Sequence, residues 1–155
     1  MSNIIKNRLA ELNLTLPAVA KPVAAYIPAK QSGNLVFTSG QLPTVDGQLI
    51  ATGTLGVDVE VDQAYQCARQ CALNALAAIK EVIGDLDKVT QIVKVTGFVA
   101  SHPTFTNQSA VVNGASELLA DIFGDRAQHA RSSIGMASLP LNAPVEIELI
   151  VEVSN

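Results

Sequence analysis

The most restrictive feature of the chain is the alternation in its last segment, VEIELIVEV, residues 145–153. Successive side chains of a β-strand point to opposite faces of a sheet, so Val145 and every second residue after it share one apolar face. Glu146 and Glu148 fall on the other face. The segment therefore predicts a strand whose apolar face packs under helices and whose glutamates point away from them.

Two stretches with helical periodicity can cover that face. VDQAYQCARQCALNALAAIKEVIGD (61–85) predicts a long helix capped by Asp62 and ended by Gly84. FTNQSAVVNGASELLADIFGD (105–125) predicts a second helix, ended by Gly124. The small residues in the first helix favour close packing on a sheet, and its expected buried stripe is Ala64, Ala68, Cys71, Ala75, Ile79 and Val82.

The remaining pattern completes a layered α+β domain. Residues 2–12 predict a leading helix capped by Ser2 or Asn3, and turn signals follow at 32–34 and at Asp46 and Gly47. VTQIVKVTGFVAS (89–101) and the last segments predict further strands. The order is helix, hairpin strands, helix, strand, helix, strand, strand, which favours one sheet with both long helices on one face.

Composition limits the organisation and the partners. A length of 155 residues predicts one domain, 1–155, with residues 1–22 as an N-terminal helical extension. Hydrophobic residues make up 48%, charged residues only 15%, and mean hydropathy is +0.31, which favours an oligomer that hides apolar surface.

Charge and hydropathy exclude some classes of protein. A net charge of −4 and an absence of Lys/Arg clusters argue against nucleic acid as a partner. No apolar run reaches the length of about 18 residues that a membrane span needs. The N-terminus lacks the pattern of a signal peptide, so we expect a cytoplasmic protein with no membrane partner.

Cysteines and histidines give no pattern of a metal site. Cys67 and Cys71 lie one helical turn apart, and we interpret them as small buried hydrophobes rather than as a disulfide or half of a metal site. His102 and His129 are the only histidines and lack further ligands at recognisable spacing. A histidine-based ribonuclease pair stays open as an alternative.

Arg131 is the unusual charge in this apolar chain. It enters the first of the last two predicted strands, and LPLNAP (139–144) would join that strand to the one bearing Glu146. If the two strands form one hairpin, the two charges lie close together. A guanidinium grips a carboxylate through two parallel hydrogen bonds, so Arg131 fits either a carboxylate ligand or a structural ion pair.

Three stretches resemble the Rid (YjgF-like) family of reactive-intermediate deaminases, also labelled L-PSP endoribonucleases. They are NLVFTSGQLP (34–43), DKVTQIVKVTGFV (87–99) and HARSSIGMASLPLNAPVEIELIVEV (129–153). The leading helix and the residues near 103–110 resemble those of a longer subgroup. The resemblance implies a chorismate-mutase-like α+β fold with a mixed sheet, assembled as a homotrimeric barrel with its active clefts between subunits.

The same resemblance implies the site residues. Arg131 matches the arginine that binds a carboxylate, and Glu146 matches the glutamate that helps to hold the attacking water. Ser133 stands where many members have a cysteine. The cleft-lining positions of the family correspond to Tyr26, Ser39, Gly40 and Asn113. For Glu146, Tyr26, Ser39 and Asn113 a purely structural role is the alternative.

The activity that the resemblance implies is hydrolytic deamination of reactive enamines and imines of the 2-aminoacrylate type, giving 2-keto acids and ammonia. It needs no metal and no cofactor, and the partners would be a small 2-imino or 2-keto acid and other copies of the chain. Two alternatives stay open: a non-catalytic trimer that binds small carboxylic acids, and an endoribonuclease-like translation inhibitor.

Overall fold

A computed structural model describes residues 2–19, 21–22 and 24–155 of the chain. Among these described residues, three α-helices and seven strands follow one another in an α+β arrangement. In chain order these elements are α1 (Ile4–Glu11), β1 (Ala29–Ser32), β2 (Leu35–Thr38), β3 (Thr44–Val45), β4 (Gln48–Leu49), α2 (Val61–Ile83), β5 (Val89–Ala100), α3 (Gln108–Phe123), β6 (Ala130–Met136) and β7 (Val145–Val153).

The main sheet has the order β1-β2-β7-β5-β6, and β3 and β4 form a separate hairpin. All pairs in the main sheet are antiparallel except β5 with β6, which is parallel. The predicted turns are confirmed, with Gly33 at φ 62° and Gly47 at φ 80° supplying the left-handed backbone that tight hairpins need. The sheet is therefore mixed, as expected.

The predicted hairpin of the last two strands is wrong. β5 lies between β6 and β7 and pairs along its length with both. The segment from Ala137 to Pro144, with a 3₁₀ turn at Pro140–Asn142, is longer than a tight hairpin loop and carries the chain past the end of β5. A long strand that buries Val95 and Val99 gains more inside the sheet than at an edge.

Both long helices cover one face of the sheet, and the alternation of β7 is as predicted. Val145 and every second residue after it are buried, whereas Glu146 and its parity are half-buried. One predicted member of the α2 stripe is wrong, because Val82 is 39% exposed while Ile83 is buried. A helix advances 100° per residue, so Ile83, four residues after Ile79, continues the stripe.

Two glycines let the layers approach closely. A Cβ added at Gly114 of α3 would overlap the carbonyl oxygen of Tyr65 in α2, and one added at Gly97 of β5 would overlap the side chain of Val112. Gly114 costs the helix about 1 kcal/mol of intrinsic propensity. The close contact of α2 and α3 accounts for a glycine inside α3.

The alternation that the sequence predicts for β5 changes part-way. Strict alternation would place Ile92 on one face with Lys94 and Thr96, but Ile92 is buried together with Val95. The register of β5 against β7 shifts between Ile92 and Lys94, where an irregularity inserts one extra residue. Such a bulge reverses the side-chain parity that follows it.

Cys67 and Cys71 are buried and free, as the small-hydrophobe interpretation predicts. Burial raises the pKa of Cys67 to about 11 and that of Cys71 well above its ordinary range. Both thiols therefore stay protonated at neutral pH and act as packing groups.

The leading helix is held by a residue far along the chain. Asn3, one of the two expected caps, is the N-cap residue of α1, but its side chain makes no capping hydrogen bond. The carboxylate of Asp87 instead accepts hydrogen bonds from the backbone N–H of Ile4 at 3.0 Å and of Ile5 at 2.7 Å. Ser2 instead donates its hydroxyl to Asp87 at 2.6 Å. Ile5 and Leu9 of α1 join the core.

This cap generates a stability prediction. Burial alone would raise the pKa of Asp87, but hydrogen bonds from Ser2, Ile5 and Ile4 outweigh it and lower the pKa. The lowered pKa adds stability that is present above the unfolded pKa near 3.8 and is lost as pH falls through the folded pKa. Asp87→Asn keeps an acceptor oxygen but loses the charge at the helix N-terminus, so it should cost about 0.3–1 kcal/mol at pH 7 and progressively less below about pH 4.

Urea unfolding of both proteins from pH 7 to pH 3 measures this difference. Asp125→Asn is the matched control, because the Asp125 carboxylate makes no hydrogen bond with any described residue. A cost that stays constant across that range would contradict a capping role for the Asp87 charge.

Candidate active site

Arg131 is held by the helix that covers its strand. It lies on β6, in register with the buried Val95 of β5, so its side chain shares the helix-covered face of the sheet. Its Nη1 donates to Oδ1 of Asn113 at 2.8 Å and to Oγ of Ser116 at 3.2 Å. Both acceptors are neutral and lie three residues apart on α3, so they face the strand together.

The rest of the guanidinium is free within the part of the chain that the structure describes. Nη1 uses both of its hydrogens on Asn113 and Ser116, whereas Nε and Nη2 have no acceptor there. The one ion pair among those residues joins Arg8 and Glu11, so no carboxylate of the same chain neutralises Arg131. A half-buried cation with an open two-nitrogen edge is suited to an anion with two oxygens.

Ser133 lies two residues further along the same face of β6. It is in register with Gly97 of β5, where α3 approaches the sheet closely. Its Oγ is buried and has no hydrogen-bond partner among the described residues. Buried hydroxyls rarely lack a partner, so this oxygen is available to a ligand or to a water. We call Arg131, Asn113, Ser116 and Ser133 the arginine half-site.

Glu146 lies on the opposite face of the sheet. It is in register with Phe98 of β5, whereas its neighbours Val145 and Ile147 are buried under the helices. Its carboxylate rests against Gly40, where an added Cβ would overlap it. Burial, and to a lesser degree the charge of Glu148, raise the pKa of Glu146. A carboxylate in this position is poised to exchange a proton nearer to neutral pH.

Ser39 and Gly40 lie in the segment that contacts the Glu146 carboxylate. They follow β2, where the backbone of Gln41 pairs with Ile147 of β7. The Ser39 hydroxyl donates to the carbonyl oxygen of Ile27 at 2.6 Å and so ties the segment before β1 to the end of β2. Tyr26 precedes that anchored residue and is 55% exposed. We call Ser39, Gly40 and Glu146 the glutamate half-site.

One chain therefore does not bring Arg131 and Glu146 together. β5 separates their strands, and the two side chains leave the sheet on opposite faces. The expectation that the pair sits on neighbouring strands is wrong, because it assumed a hairpin that does not form. Of the predicted residues, the structure groups Arg131, Asn113 and Ser133 on one face and Ser39, Gly40 and Glu146 on the other.

Sequence reasoning missed Ser116 and treated His129 only as a metal or ribonuclease candidate. In the structure both stand beside Arg131, with Oγ of Ser116 3.0 Å from Nε2 of His129. A signal was present in the spacing: Ser116 follows Asn113 by one helical turn, and His129 precedes Arg131 by two residues. Within the described ranges, three or more His, Cys, Asp or Glu side chains do not converge as metal ligands would.

Comparison with known proteins assigns the chain to a family. A family model described as "YjgF/chorismate_mutase-like, putative endoribonuclease" matches residues 6–153. The chain belongs to the YjgF-like family. The expected family is thereby confirmed, and so is the chorismate-mutase-like α+β fold with its mixed sheet.

Relatives within the YjgF-like family carry different descriptions. The Trypanosoma cruzi protein TCP17 is 41% identical, over 99% of this chain and 97% of its own length. A 2-iminobutanoate/2-iminopropanoate deaminase of Dermatophagoides farinae is 32% identical, over 89% and 93%. The crystal structure of Atu1372 from Agrobacterium tumefaciens, described as having unknown function, matches with a TM-score of 0.91 and 48% identity, over 99% and 95%.

None of the helices described is long and apolar enough to span a bilayer.

The glutamate half-site generates a prediction about titration. Because Glu148 contributes a like charge, Glu148→Gln should lower the pKa of Glu146, while burial should keep it above the ordinary value for glutamate. NMR titration of the Glu146 carboxyl carbon measures this pKa. Glu152→Gln, four residues after Glu148 on the same face, is the control. An unchanged Glu146 pKa in Glu148→Gln would show that the two carboxylates are not coupled.

Proposed function

We propose that this protein hydrolyses reactive 2-imino acids, formed from 2-aminoacrylate-type enamines, to 2-keto acids and ammonia. The observation that carries the proposal is the Arg131 guanidinium. It is half-buried, held by two neutral acceptors, and has its Nε and Nη2 edge open among the described residues. A 2-imino acid presents a carboxylate next to the reacting carbon, so this edge binds the substrate and fixes its orientation.

The reaction needs only water as a second reactant. The enamine tautomerises to the imine, and a water oxygen forms a bond to the imine carbon while the nitrogen gains a proton. The carbinolamine then passes its hydroxyl proton to the nitrogen, the C–N bond breaks as the C=O bond forms, and ammonia leaves. Arg131 withdraws electron density through the carboxylate, and Glu146, with its raised pKa, accepts the proton of the attacking water and returns it to nitrogen.

The two half-sites meet between subunits in this proposal. Arg131 and Glu146 face opposite sides of one sheet, so a shared cleft takes Arg131 from one protomer and Glu146 from the next. The open face of the sheet supports such an assembly, because Phe37 and Ile134 are each 41% exposed on it and Phe98 is half-buried. Three copies that close these faces against one another form a homotrimer with three equivalent clefts.

The description of one relative as an iminobutanoate/iminopropanoate deaminase supports this function. The endoribonuclease in the family description points to a different one. A net charge of −4 and the absence of a basic cluster disfavour RNA as the substrate. The alternative function, binding of small carboxylic acids without turnover, would need Arg131 but not Glu146.

Substitution of each charge separates binding from turnover. Arg131→Lys keeps the charge but loses the planar two-nitrogen edge of the guanidinium. It should therefore weaken binding of 2-oxobutanoate by about ten- to a hundredfold, or 1.5–3 kcal/mol. Glu146→Gln should spare that binding and slow imine hydrolysis. Calorimetry and ammonia release from freshly generated imino acid measure the two effects, with Arg69→Lys as the control. Wild-type behaviour of Arg131→Lys in both assays would overturn the proposal.

Complementation tests whether the site is shared. When Arg131→Lys and Glu146→Gln chains are co-expressed, about a quarter of the clefts in randomly mixed trimers regain both native residues. Activity should therefore exceed the sum of the two variants measured apart, and sedimentation should give about three chains per particle. No gain in mixed particles would show that Arg131 and Glu146 do not act together in a cleft between subunits, and a monomer would remove the shared cleft.

A further inference from the structure

Behind Arg131 a hydrogen-bonded chain runs back to the main chain. The carbonyl oxygen of Ala127 lies 2.5 Å from Nδ1 of His129. Nε2 of the same ring lies 3.0 Å from Oγ of Ser116, and that Oγ accepts a hydrogen bond from Nη1 of Arg131 at 3.2 Å. We infer that Ser116 and His129 are positioning residues, which hold the Arg131 guanidinium so that its free edge faces the ligand. The inference rests on the proposed function of Arg131.

The direction of each hydrogen bond follows from its fixed ends. A carbonyl oxygen only accepts, so Nδ1 of His129 carries the hydrogen that bonds Ala127. In a neutral ring Nε2 is then without a hydrogen and accepts from the Ser116 hydroxyl. Arg131 only donates, so it donates to the lone pairs that Ser116 keeps free. Each of the three hydrogen bonds then has one donor and one acceptor.

The tautomer of His129 follows from the same hydrogen bonds. A neutral ring with its hydrogen on Nδ1 donates to Ala127 and accepts from Ser116, and the Ser116 oxygen still accepts from Arg131.

The chain fixes the plane of the guanidinium. Asn113 and Ser116 take both hydrogens of Nη1, and because the group is planar, its Nε and Nη2 hydrogens must point to the side away from these two acceptors. His129 itself follows a 3₁₀ turn at Gly124–Ala127, where Nη1 of Arg126 donates to the carbonyl oxygen of Val89. Anchored supports of this kind reduce the ordering that a ligand must impose on the group that binds it.

Conservative and disruptive variants differ in what they retain. Ser116→Ala removes the link, whereas Ser116→Thr keeps a hydroxyl. His129→Gln places an amide oxygen near the position of Nε2, whereas His129→Asn keeps a donor for Ala127 but is too short to reach Ser116. Tyr65→Phe is the control, since it removes the hydrogen bond from Tyr65 to Glu117, the residue next to Ser116, without contact to Arg131.

We expect Ser116→Ala and His129→Asn to weaken 2-oxobutanoate binding and raise KM by about three- to tenfold, with little change in kcat. Ser116→Thr, His129→Gln and Tyr65→Phe should stay near the wild-type values. Variants are compared at matched thermal stability. Equal KM in all five variants and the wild type would overturn the inference while leaving the role of Arg131 intact.

Nitrogen-15 NMR of the imidazole ring tests the same chain without a ligand. His129 should show a protonated Nδ1 and an unprotonated Nε2, and Ser116→Ala should shift the Nε2 signal and speed hydrogen exchange at the Arg131 guanidinium. A ring protonated on Nε2 alone, or exchange that does not change, would overturn the inference. Failure of the wild-type protein to bind or process the acids would refute the proposed function, and the NMR result would still decide the positioning.

Discussion

The arrangement of the whole molecule depends on β5 pairing with both β6 and β7. Parallel pairing with β6 requires a crossover connection, and α3 provides it on the covered face of the sheet. Antiparallel pairing with β7 places the most regular apolar alternation of the chain at the sheet centre. The same double pairing separates Arg131 from Glu146, and so decides that a cleft using both residues has to be built from two chains.

Local pattern was sufficient to predict most elements but not their neighbours. The α2 and α3 helices, the two-residue turns and the alternation of β7 follow from periodicity and from glycine positions, which act over a few residues. Strand order depends on competition between distant segments, and a reader of the sequence sees only that β6 and β7 are consecutive. The bulge near Ile92 could not be predicted for a related reason, because the order of side chains in the sequence does not show where a strand holds an inserted residue.

The candidate site divides in the same way. Arg131 and Glu146 stood out because a charge in an apolar strand is costly without a partner. Ser116 and His129 have no comparable signal in the sequence, since a serine in a helix and a histidine before a strand are common on any surface. Asp87 is a similar case: only the folded chain shows that this carboxylate caps a helix more than eighty residues away.

Gly114 links the packing of the helices to the chemistry of Arg131. It lies in α3 between Asn113 and Ser116, at the point where α3 meets the main chain of α2 at Tyr65. A methyl group at this position would push α3 outward and carry both acceptors away from the guanidinium at once. The distance between two helix axes thus sets the orientation of the Arg131 guanidinium on the far side of α3, through a residue that does not touch the arginine.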